Sequence, residues 1–203
     1  MKRLIPTTLG LYIMIAAHQV HADDMFSRIK TRLAEADCIR FEFLSVLESE
    51  VFDAVDTAKG NVVIAADSRY CLDLGRDQYI FDGRLLYSFS RENNQVTVEA
   101  AASGEAQEES VSFVKRIDEF YSSTMVVPDE RYRLIRLSEK HRELPDTVVA
   151  FVDPQSESLA RLEYYDVNGD LNRIIFTAEE ILPTCSDSAF VPSYPDSVEI
   201  IKL

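Results

Sequence analysis

Beyond residue 22 the chain has one histidine, His141, set in the charged run Ser138-Glu139-Lys140-His141-Arg142-Glu143. Catalysis by a serine or cysteine nucleophile needs a base within reach, and a histidine in such a run reads as a solvated loop residue. No G-x-S-x-G elbow or phosphate-binding glycine loop occurs, and the chain has only six glycines. Asp166-Val167-Asn168-Gly169-Asp170 alternates oxygen ligands as a calcium loop does. Its glycine comes too early, however, and Thr177 stands where a bidentate glutamate belongs, so a hairpin turn fits better. Cys38, Cys71 and Cys185 match no zinc spacing. In an oxidising compartment they would give one disulfide and one free thiol, and sequence leaves open which pair is joined. No spacing singles out a carboxylate pair for glycoside hydrolysis. The expectation is a chain without catalytic activity, metal or cofactor.

The N-terminus supplies a compartment. Lys2 and Arg3 precede an uncharged, mostly apolar run from Leu4 to Ala17, and Val20-His21-Ala22 fits a signal-peptidase site. The run is shorter than the roughly 20 residues that span a bilayer, and Pro6 interrupts it. Residues 1–22 are therefore expected to be a signal peptide and residues 23–203 a single exported domain. The formal net charge is −14, and removal of the basic leader would make it more negative still. Such a surface repels phosphate backbones and anionic bilayers, which excludes nucleic acid as a partner.

The elements that must position any site are mostly strands. Residues 23–36 read as a helix with Phe26, Ile29 and Leu33 on one face. Alternating runs follow at 39–43, 60–64, 70–74, 78–81, 85–89 and 95–99, with a tight-turn signal at Asp82-Gly83. Residues 100–109 read as a loop and 108–121 as a second helix, which Pro128 prevents from continuing. Further strands are expected at 132–137, 147–152, 159–167 and 171–181, with a turn at Asn168-Gly169. The fold expected is α+β: a large antiparallel sheet of roughly ten strands, curled into an incomplete β-barrel and covered by two or three helices. Phe41, Phe43, Val62, Ile64, Tyr70, Leu72, Tyr79, Phe81, Leu86, Tyr87, Phe89, Phe151 and Phe176 are the candidate lining of its hollow.

Several of these segments together resemble the periplasmic lipoprotein carriers of LolA type. They are Phe41-x-Phe43, Gly60-Asn61-Val62-Val63-Ile64, Arg69-Tyr70, Asp82-Gly83-Arg84-Leu85-Leu86-Tyr87 and Asn94-Gln95-Val96-Thr97. The tail Phe190-Val191-Pro192 with Asp196-Ser197-Val198-Glu199-Ile200-Ile201 is similar to that family's closing segment. Where the family commonly has a basic residue and a proline after the second strand, this chain has Ala66 and Asp67. The resemblance implies an incomplete barrel of about eleven strands closed by helices, and a monomer that binds acyl chains without catalysis. It also implies acylated lipoproteins or lipids as cargo, taken from an inner-membrane transporter to an outer-membrane acceptor through the periplasm. The alternative reading is an envelope sensor or structural protein on the same half-barrel.

Overall fold

The computed structural model describes residues 19–100, 111, 113–126, 131–142 and 144–203, with side chains from residue 25 onward. The expected leader lies outside these residues through position 18, and so do residues 101–109 of the loop expected at 100–109.

Helix α1 (Gln19–Glu35) precedes a run of strands. These are β1 (Cys38–Ser49), β2 (Ala54–Ala65), β3 (Tyr70–Asp73), β4 (Asp77–Phe81), β5 (Leu85–Ser90) and β6 (Gln95–Ala100). A 3-10 turn (Phe113–Lys115) and the short helix α2 (Ile117–Phe120) come next. Then follow β7 (Tyr121–Val126), β8 (Arg131–Arg136), β9 (Thr147–Asp153), β10 (Ser158–Tyr165) and β11 (Leu171–Leu182). A second 3-10 turn (Asp187–Phe190) leads to β12 (Glu199–Lys202).

All twelve strands join one sheet, in the order β12-β6-β5-β4-β3-β2-β1-β11-β10-β9-β8-β7. Two antiparallel meanders, β1–β6 and β7–β11, are joined where β1 pairs with β11 from Cys38↔Leu182 to Glu48↔Leu171. Strand β1 thus has a partner on each side over nearly its whole length. Local chemistry makes the turns. At Asp82-Gly83 the Asp82 carboxylate accepts the N–H groups of Arg84 and Leu85 at 2.8 and 2.7 Å. Gly83 there has φ +92°, a conformation that a side chain resists. Asp166 holds the Asn168-Gly169 turn in the same manner, accepting from Asn168 and Asp170 at 2.8 and 3.1 Å. Its carboxylate is committed to the turn, which accounts for the resemblance to a calcium loop.

The sheet departs from expectation in several ways. The fold is mostly β rather than α+β, and the sheet is neither closed nor strongly curled: β12 and β7 are its two edges. It is mixed rather than wholly antiparallel, because β12 runs parallel to β6. Among the described residues of the helix expected over 108–121, Val111 is helical, Phe113–Lys115 form the 3-10 turn and Ile117–Phe120 form α2. Arg116 breaks it with φ −128°, and Tyr121 turns to extended backbone to begin β7, an edge strand absent from the sequence reading. The pattern Ser122-Ser123-Thr124 favours that outcome, since these residues form helices poorly. β1 and β2 also run past the expected strands to a tip at residues 50–53.

Each face of the sheet has a cover. On one, the helix face, α1 and the 113–120 segment lie over the main core. On the other, the strap face, the segment after β11 crosses β2 to β5 and ends as β12.

Candidate functional site

Residues directly opposite in neighbouring strands share a face, so the register says which candidate residues meet. On β1 and β2, Phe41, Phe43, Val62 and Ile64 all face α1 and are buried. Gly60 makes room there: a Cβ would lie 2.4 Å from the tip of the Phe43 ring, which therefore crosses directly over β2. Tyr70 and Phe81 stand opposite each other, with ring centres 5.8 Å apart, and Leu86 continues the row on β5. Leu72, Tyr79 and Phe176 are half-buried against the same core. Phe176 lies opposite Phe43, and its ring is 4.8 Å from that of Phe41. These ten residues form one apolar surface.

Tyr87, Phe89 and Phe151 do not join it. Tyr87 packs with Ala65, Ile80 and Phe190 under the strap, and Phe89 meets the Tyr194 ring at 4.9 Å. Phe151 lies between Arg131 and Arg161, whose guanidinium is 3.9 Å from its ring centre, on the face opposite the buried Ala150 and Val152. The cause is the two-residue period of a strand: Leu86 cannot share a face with Tyr87 and Phe89. His141 also differs from expectation. It is half-buried, with its ring edge-on to Phe120 at 4.9 Å.

The cover on the helix face is α1. Phe26, Ile29 and Leu33 are buried, and Phe26 stacks on Tyr132 with 4.2 Å between ring centres. Polar groups fasten its rim. Arg28 donates to Glu157 at 2.8 Å, Lys30 pairs with Asp118, and Arg32 pairs with Glu179 of β11. Burial pushes the Glu179 carboxyl above its ordinary range, although Arg32 and the Leu159 N–H act to lower it. A hollow of about 430 Å³ opens beside this pair, walled by Leu159, Ala160, Phe176 and Ile181 with Ser156, Ser158 and Asp153. Sequence reading missed Arg32 and Glu179. The only signal was an acidic pair, Glu179-Glu180, set between the apolar residues Ile174-Ile175-Phe176 and Ile181-Leu182 of one strand.

The strap face is fastened differently. Cys38 and Cys185 are joined across 147 residues, which leaves Cys71 as the free thiol. Asp67 accepts from Arg69 at 2.8 Å, Arg69 donates to Asp187 at 2.9 Å, and its guanidinium covers the Phe190 ring at 4.7 Å. Asp67 thus works toward the strap rather than toward α1. Burial pushes the Tyr194 hydroxyl up to about 12. Among the described residues, no group of three His, Cys, Asp or Glu side chains is placed to hold a metal ion. No described helix is long and apolar enough to cross a membrane.

No protein-family model and no curated protein matches the chain by sequence. Solved structures resemble it in fold. An uncharacterised conserved protein from Thermus thermophilus aligns over 90% of this chain and 99% of its own, with 8% identity and a TM-score of 0.52. A LolA superfamily protein, NE2245 from Nitrosomonas europaea, aligns over 84% and 97%, with 10% identity and a TM-score of 0.47. A putative outer membrane lipoprotein-sorting protein domain from Vibrio parahaemolyticus aligns over 83% and 97%, with 8% identity and a TM-score of 0.44. At such identities the likeness is one of fold.

Proposed function

We infer that the protein is a non-catalytic carrier that takes acyl chains of lipoproteins or lipids onto the helix face of its sheet. The observation that carries this reading is the nature of the cover. A continuous apolar surface is closed by a helix that inserts three large side chains and is fastened at its rim by ion pairs. Burial of Phe26, Ile29 and Leu33 contributes about 6 kcal/mol together, at about 2 kcal/mol each. The half-exposed Arg28–Glu157 pair adds less than about 1 kcal/mol. A long acyl chain leaving water gains on the order of 10 kcal/mol, enough to take the place of the helix. The free chain would keep its apolar face covered, and the loaded chain would exchange helix for ligand. The Cys38–Cys185 bond suits an oxidising compartment, and the proposed setting is the periplasm, between a membrane donor and a membrane acceptor.

Native mass spectrometry of protein purified without detergent tests the reading. Acylated species that leave on mixing with acceptor vesicles are expected. A bare mass unchanged by added acyl ligand would overturn it. Cysteines introduced at Arg28 and Glu157, in a Cys71→Ser background, should block uptake when oxidised and restore it when reduced. Equal uptake in both states would remove α1 as the moving cover.

A further inference from the structure

Scattered exposed apolar residues are ordinary on a protein surface, but a gathering of them is not. Among the described residues, eleven large apolar side chains stand exposed, and five of them gather at one end of the sheet. Val51, Phe52 and Val55 belong to the β1–β2 hairpin, and Tyr165 and Val167 to the β10–β11 hairpin. The two hairpins are neighbours. Glu48, near the end of β1, pairs with Val55 on one side and with Leu171, the first residue of β11, on the other. The tips, residues 50–53 and 166–170, therefore project side by side, about 10 Å apart at two strand spacings. Val167 is 96% exposed, Phe52 78% and Val51 77%. The turns do not call for these side chains. Asp166 closes the second turn by accepting the N–H groups of Asn168 and Asp170, and the Val167 side chain takes no part. Glu50 and Asp53, both exposed, flank the Val51-Phe52 pair.

We propose that this end of the sheet docks the protein on a bilayer of zwitterionic, ammonium-bearing phospholipid. Two separate convex tips, each with an apolar summit, suit a fluid interface that closes around both, whereas a folded partner would need two matched pockets. Apolar side chains that enter the boundary between headgroups and acyl chains gain the burial they lack in water. Tyr165, just behind the tips, is of the residue type enriched at headgroup level. Charge selects the lipid. The headgroup of phosphatidylethanolamine ends in an ammonium, which donates to carboxylates where Glu50 and Asp53 flank the apolar pair. An anionic headgroup without an ammonium repels these two groups and the chain's net charge of −14. In this pose β1 points its Ser49 end at the lipid and its Cys38 end away, which keeps the disulfide in water. The proposal goes beyond the acyl-carrier reading and does not depend on it.

Flotation of the full chain, purified after export, with vesicles of stated lipid tests this. The protein should float with vesicles of phosphatidylethanolamine and phosphatidylcholine in equal parts, and less of it should float when phosphatidylglycerol replaces the phosphatidylethanolamine. Phe52→Asp/Val167→Asp should lower the partition coefficient about tenfold or more, with an unchanged urea midpoint. Glu50→Lys/Asp53→Lys should turn the preference toward phosphatidylglycerol. Failure of the wild-type protein to float with phosphatidylethanolamine vesicles would overturn the proposal, as would equal flotation of wild type and Phe52→Asp/Val167→Asp. Tighter binding of the wild type to phosphatidylglycerol would overturn it too. A lipid-free dimer that Phe52→Asp/Val167→Asp dissociates would assign the tips to a second copy of the chain and overturn it. Flotation that meets these expectations supports the proposal even where the protein takes up no acyl ligand, a result that overturns only the carrier reading.

Discussion

The two faces of the sheet are covered by opposite means. On the strap face the cover is joined by a disulfide, by pairing of β12 with β6 and by Arg69, which grips Asp187 and Phe190 at once. On the helix face it is the amphipathic helix α1 beside the 113–120 segment, and α1 is held there with no disulfide and no strand pairing, fastened by ion pairs at its edge. The two apolar surfaces therefore have unequal locks. A strap that enters the ladder cannot leave without exposing backbone polar groups, whereas a helix satisfies its own backbone and can move as a unit. On the carrier reading proposed above, α1 is the cover that moves.

Replacing a buried anchor of the movable cover should have the largest effect. Leu33 is wholly buried, and Leu33→Asp should cost roughly 5 kcal/mol of α1 attachment. The sheet should stay folded and bind an apolar dye. Loss of strand circular dichroism at the same denaturant concentration as loss of the helix would break the comparison. Next is the permanent cover: Cys38→Ser/Cys185→Ser releases a crosslink spanning 147 residues and should lower stability by about 4 kcal/mol in urea unfolding. Acyl uptake should be unaffected; a loss of uptake would mean that the strap moves as well. Gly60→Ala forces the Phe43 ring away from a 2.4 Å clash and should cost about 2 kcal/mol. Smallest is Arg28→Ala, which breaks a half-exposed pair with Glu157 and should change stability by less than about 1 kcal/mol.

The two faces should also answer pH with opposite sign. Burial alone would raise the Asp73 carboxyl on the strap face, but Arg91 and the Gly75 N–H bring it below its ordinary value. Its contribution is present above the unfolded pKa and lost as pH falls through the lower folded one. Glu179 is the reverse: the folded protein holds its proton more tightly than the unfolded chain does. Stability from this group is greatest below the unfolded value and falls as pH rises toward the folded one. Asp73→Asn should therefore flatten the acid side of a stability profile. Glu179→Gln should remove a loss on the higher-pH side. Urea midpoints across the acid range measure both, and the same slope change in both variants would contradict the assignment.

Much of the fold was legible in the sequence because much of it is local. Asp82-Gly83 and Asn168-Gly169 specify turns through side-chain caps that reach only a few residues. Phe26, Ile29 and Leu33 specify one face of α1 by spacing alone. Alternation also grouped Phe41 with Phe43 and Tyr70 with Leu72 correctly, since side chains two apart in a strand must share a face. Local pattern did not say which face lay under which cover. Both faces of β4 and β5 are buried, so Tyr87 and Phe89 are as apolar as Leu86 and yet meet the strap.

Sequence by itself determined ten of the strands, the tight turns and the amphipathic helix α1, but not β7 or β12, because propensity, period and turn chemistry act over a few residues. Only the tertiary structure decided that β1 pairs with β11, that Cys38 joins Cys185 rather than Cys71, that β12 lies parallel to β6, and that Arg32 meets Glu179. Each of these joins groups at least 100 residues apart in the chain. Such contacts form only where a complete sheet holds both partners in place, and no local pattern encodes that.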